Sequence, residues 1–133
     1  MMKLVAFADR GSPETASLVT YSFTEDDIQI VIAAIVSASD GYMILSDPAL
    51  GDETYLQATT SPQFGGMFIV ERRDGCAGEH YRGERRIDAT ELFCMLVDYM
   101  HGDTKAINSI AWTRVNIARE LGDWCANDNR PSA

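Results

Sequence analysis

The stretch that decides the fold runs from Glu53 to His101. It reads as TYLQATT (54–60), GGMFIVERRD (65–74) and EHYRGERR (79–86), followed by DATELFCMLVDYMHG (88–102). The first three segments are β-branched or aromatic and alternate in polarity. In TYLQATT, Leu56 and Ala58 share one side and Tyr55 and Gln57 the other. In the second segment Phe68 and Val70 share a face opposite Met67, Ile69 and Glu71. Asp74-Gly75 is a strong turn pair, so EHYRGERRI returns antiparallel to MFIVERR. Asp88 with Glu91 three residues later is a capping box that opens a helix. Its expected core face is Phe93, Leu96, Val97 and Met100, with Cys94 also turned inward, and Gly102 is a stop signal.

Upstream, KLVAFA (3–8) and SLVTYSF (17–23) read as strands around the breakers Gly11 and Pro13. Thr24 and Asp27 nearly repeat the capping box, and Glu25, Asp26 and Asp27 suit the positive end of a helix dipole. Ile28, Val31, Ile32, Ile35 and Val36 then mark one buried helix face, which Ile30 and Ala33 widen. YMILSD is a further strand, stopped by Pro48. Residues 107–121 fit either a helical or an alternating pattern; an irregular segment or short strand around Trp112, then a helical turn at NIAREL, is expected. The sum is one α+β domain over residues 1–125 with a polar tail at 126–133. Its sheet is mostly antiparallel, of about five strands, packed against two helices.

Composition narrows the function classes. The net charge is −9, distributed as −7 over residues 1–70, +1 over 71–86 and −3 over 87–133. Such a surplus repels a phosphate backbone and attracts basic partners, so a nucleic-acid partner is not expected. The longest apolar run, IQIVIAAIVSA, has 11 residues, short of a membrane span. Cys76, Cys94 and Cys125 are an odd number without paired spacing, which favours free thiols in a cytoplasmic setting.

No motif carries chemistry by itself. His80 and His101 start no metal-ligand pattern; a site from His80, Cys76 and Glu71 across the hairpin is conceivable but lacks ligand spacing. His80 is expected as a half-exposed strand residue. Neither GxSxG nor a phosphate loop is present, so no catalytic residue, metal or cofactor is expected. Arg72, Arg73, Arg82, Arg85 and Arg86 lie among Glu71, Glu79 and Glu84 on two paired strands. They form either a ladder of weak cross-strand ion pairs or a basic stripe for a partner. The residues expected to meet a protein partner are Asp47, Asp52 and Glu53 in the loop after YMILSD, Tyr55 and Phe64 beside the 60s loop, and Arg72, Arg82 and Arg85.

The order YLQATT, GGMFIVERRDG, EHYR, a capped helix ending in DYMHGD, and a tryptophan in IAWTR resembles one group of small bacterial immunity proteins of polymorphic-toxin systems. The resemblance covers roughly residues 53–113. It implies a cytosolic, non-enzymatic protein that occludes a toxin, with Glu71 and Trp112 as structural anchors. A small enzyme or ligand-binding domain using Cys76, His80 and Glu71 is the alternative, and a structural homo-oligomer a third.

Overall fold

Strand β1 (Lys3–Ala8) lies at the join of two hairpin systems. It pairs antiparallel with β2 (Ser17–Thr20) on one side and with β3 (Gly41–Ser46) on the other. Strands β2 and β3 therefore run parallel to each other across β1, and such strands need a long crossover. Helix α1 (Glu25–Val36) supplies it. From β3 the chain meanders through β4 (Thr54–Thr60), β5 (Ile69–Asp74) and β6 (His80–Gly83). Helix α2 (Ala89–Met100) follows, and β7 (Trp112–Arg114) closes the sheet. The order is β2-β1-β3-β4-β5-β6-β7, with every pair antiparallel. The computed structural model describes residues 2–8, 17–37, 41–50, 54–75 and 79–115. The domain is thus α+β as expected, with seven strands among the described residues in place of about five.

Both helices cover one face of the sheet. The register places Leu4, Leu45, Leu56, Arg72, Tyr81 and Arg114 in one cross-strand row. The next row runs from Leu18 through Ala6, Met43 and Ala58 to Val70. Leu4, Leu45, Leu56, Met43, Ala58, Phe68 and Val70 are fully buried, and they pack against Ile28, Ile32 and Ile35 of α1 and Leu92, Met95 and Leu96 of α2. Burying such side chains contributes roughly 1.5–3 kcal/mol each. Phe68 also exchanges backbone hydrogen bonds with Ile87, at 2.8 and 3.0 Å, which ties the end of the β5–β6 hairpin to the start of α2.

Both capping boxes form. Asp27 N donates to Thr24 Oγ1 (3.3 Å) while Thr24 N donates to Asp27 Oδ2 (2.8 Å). Asp88 and Glu91 repeat the exchange at α2. Helix α2 ends in a Schellman arrangement: Gly102 adopts φ +75°, its N–H donates to Tyr99 O, and Asp103 N–H donates to Asp98 O.

The helix faces differ from expectation. In α1, Ile30 is 65% exposed, and Ala33 and Val36 are exposed too. The sheet supplies only one surface beneath the helix, so the buried stripe is the narrower Ile28, Val31, Ile32, Ile35. In α2 the buried centre is Leu92, Met95 and Leu96; Phe93, Val97 and Met100 are half-buried, and Cys94 is exposed rather than inward-facing. Exposed Leu18, Val19 and Tyr21 lie on or beside edge strand β2. Trp112 does open a short strand, whereas NIAREL and the tail from residue 126 lie outside the described residues.

Candidate functional site

One end of the sheet carries a cleft of about 520 Å3. Four separate parts of the chain build it. Met2 precedes β1; Asp47 and Leu50 follow β3, and Thr54 opens β4; Arg72 and Asp74 close β5; and Tyr99 and Met100 end α2, with Gly102 to Thr104, Ile107 and Asn108 continuing the wall. The walls are apolar at Met2, Leu50, Met100 and Ile107. Among the described residues, the carboxylates Asp47, Asp74 and Asp103 share the lining with one guanidinium, that of Arg72.

Local structure fixes each charged group. Asp47 Oδ1 accepts from Ala49 N–H at 3.0 Å, and Asp103 Oδ1 accepts from Lys105 N–H at 2.8 Å. Asp74 Oδ2 accepts from Arg72 NH1 at 2.7 Å. Arg72 sits on the helix side of the sheet, in the row that begins with Leu4. Its guanidinium lies over the rings of Tyr81 (4.4 Å) and Trp112 (5.0 Å). Its Nε is buried and has no hydrogen-bond partner among the described residues. Trp112 is held in turn by its indole N–H, which donates to Ile107 O at 2.8 Å. Burial, then Asp74 and Asp47, push the Tyr99 phenol up to about 12.

The face away from the helices holds a second polar group. Glu71 Oε1 accepts from Arg82 Nε at 2.8 Å and lies 2.7 Å from Arg82 Nη2 in an ion pair. Its other oxygen lies 3.5 Å from His80 Nε2. That contact has ion-pair range without hydrogen-bond alignment, and neither His80 ring nitrogen has a hydrogen-bond partner among the described residues. His80 and Arg82 hold the Glu71 carboxyl below its ordinary value against the opposing effect of burial. His80 is 2% exposed, not half-exposed, and Arg73 beside it is also buried, its Nε donating to Gly75 O at 2.8 Å. The Tyr55 ring meets the imidazole edge-on at 6.2 Å. His80 thus lies beside Glu71 across the hairpin, while Cys76 lies outside the described residues. Among the described residues, no group of three or more His, Cys, Asp or Glu side chains could hold a metal ion. No helix among them is long and apolar enough to cross a membrane.

Among the described residues, those expected to face a partner lie at different places on the fold. Asp47 and Arg72 belong to the cleft; Asp52 and Glu53 lie outside the described residues. Phe64 is at the opposite end of β4, under the Arg86 guanidinium at 4.3 Å. Arg85 is also at that end, bound by two hydrogen bonds to Glu91 (2.6 and 3.2 Å). Tyr55 and Arg82 lie on the face away from the helices, the latter paired with Glu71. Arg72, Arg82 and Arg85 thus pair with Asp74, Glu71 and Glu91, and Arg86 stacks on Phe64. Asp74, Tyr99 and Asp103 were not singled out by sequence reasoning. Asp74 reads there as a turn residue and Asp103 as the residue after a helix stop, and nothing local signals their convergence.

No family model, curated protein or solved structure matches this chain.

Proposed function

We propose that this chain is a non-enzymatic protein-binding domain that engages a basic partner, in the manner of a cytoplasmic immunity protein occluding a toxin. The observation that carries the reading is the gathering of Asp47, Asp74 and Asp103 at one end of a chain whose net charge is already −9. Such a field steers a basic protein and raises its association rate. The order of segments between residues 53 and 113, which resembles small immunity proteins, supports the same reading. The polar group at Glu71 and His80 is tied into the sheet by Arg82 and serves as an anchor for the hairpin. The test is affinity capture at low salt from the source cells, followed by purification of whatever is bound. A basic protein whose toxic activity is abolished at one equivalent supports the proposal. Capture of acidic or neutral proteins alone contradicts it.

A second reading, a small-ligand domain, draws on the cleft volume of about 520 Å3, which falls in the ~300–1,000 Å3 range of small-molecule sites. It transfers the ligand from the Glu71–His80 group to the cleft. A metabolite that raises the melting temperature in a ligand screen, where no protein partner does, would favour it.

A further inference from the structure

The cleft does more than add to an acidic surface. Three carboxylates face one guanidinium, and that guanidinium is already engaged: NH1 by Asp74 at 2.7 Å, and the plane by Tyr81 and Trp112. An incoming anion would meet Asp47 and Asp103, and the one guanidinium among the described lining residues is already paired with Asp74. A cation meets the reverse. The aspartates are also oriented in advance, since Asp47 and Asp103 each spend one oxygen on a backbone N–H of their own loop. The second oxygen of each has no hydrogen bond among the described residues. Pre-set groups bind without the cost of ordering them. The same lining includes the apolar side chains of Leu50, Met100 and Ile107. A charged head on an aliphatic stem matches this combination, as lysine and arginine side chains do when they lay their methylenes on apolar surface.

We propose that the cleft receives one arginine or lysine side chain of the partner protein, its stem along Met100 and Ile107 and its head between Asp47 and Asp103. This rests on the reading above that the partner is a basic protein. The volume of about 520 Å3 takes the side chain together with part of the segment that presents it. Thr54, Thr104 and Asn108 offer polar groups for the backbone of that segment.

The experiment is an amide NMR titration of the whole chain with n-butylguanidinium and n-butylammonium, using n-butanol and butyrate as controls of similar length. The cations are expected to shift the amides of Asp47–Leu50 and Tyr99–Asn108 saturably. Butanol should bind at least about fivefold more weakly, the scale of a single charge contact in water. The double variant Asp47→Asn, Asp103→Asn should weaken the cations by at least about as much and leave butanol unchanged; asparagine oxygens can still accept the loop N–H bonds, so the fold is kept. Equal binding of butanol, tighter binding of butyrate, or shifts confined to other residues overturn the proposal. The two readings fail separately. If a basic partner associates but n-butylguanidinium leaves the cleft unshifted, only the cleft assignment falls. If the cleft takes the cations selectively but no basic protein partner is captured, the partner reading falls and the cation preference stands.

Discussion

Tyr99 is a reporter of the cleft's potential. Burial and the carboxylates of Asp74 and Asp47 move its phenol from 10.0 to about 12. A value of 12 leaves about a tenth of Tyr99 ionised at pH 11, whereas an ordinary phenol would be about nine-tenths ionised. Because the folded-state value lies above the unfolded one, the neutral phenol contributes stability that is present below pH 10 and is lost as pH rises through about 12. Burial is the larger cause, so removing one carboxylate changes the value only in part. Asp74→Asn is expected to raise the ionised fraction at pH 11 from about a tenth to about a fifth. Carbon-13 NMR of the tyrosine ring carbons follows each phenol, Tyr99→Phe assigns the signal, and far-UV circular dichroism checks that the fold persists at that pH. A Tyr99 mostly ionised at pH 11 in a folded protein would refute the burial. A signal indifferent to both Asp74→Asn and Asp47→Asn would refute the convergence of the carboxylates on the cleft.

Other parts of the structure give sharper stability and reactivity expectations. A Cβ at Gly83 would lie 2.9 Å from Val70 Cγ2 and 3.0 Å from Ile110 Cδ1. Val70 is fully buried and stiff, so overpacking of about 1–3 kcal/mol outweighs the roughly 0.4–1 kcal/mol gained in the unfolded chain. Gly83→Ala should therefore lower urea-unfolding stability by about 0.5–2 kcal/mol, and a stabilised variant would contradict the packing. Cys94 should react with a thiol reagent in the native protein, because it is exposed on α2; labelling only after unfolding would contradict that helix face. Asp27→Ala should cost about 0.5–1 kcal/mol through loss of the α1 cap while leaving partner association unchanged, as read by thermal melting and binding on the same sample.

Local chemistry made much of the fold legible. Thr24 with Asp27 and Asp88 with Glu91 lie within one turn of each other, so the starts of both helices could be read directly. Alternation placed Leu56, Ala58, Phe68 and Val70 on the buried face, as found. The core face of α2 was less legible because Phe93 to Val97 form one unbroken apolar run. Such a run has no clear period, and the neighbouring α1 and β4 decide which side is buried. The crossover of α1 over β1, and the seventh strand, depend on pairings between distant segments. His80 and Arg73 read as ordinary outward strand residues, yet both are buried. The cleft was least legible, since Asp47, Asp74, Tyr99 and Asp103 come from three widely separated parts of the chain.

The most direct measurement is the association rate of the captured, purified partner with this chain, followed by stopped-flow fluorescence over a range of salt concentrations. It should compare the native chain with the variant carrying Asp47→Asn and Asp103→Asn. Binding guided by the acidic end of the sheet predicts a rate that falls steeply as salt screens the charges, and a slower rate with a flatter dependence in the variant at an unchanged melting temperature. A rate that is the same in both proteins at every salt concentration would contradict the account.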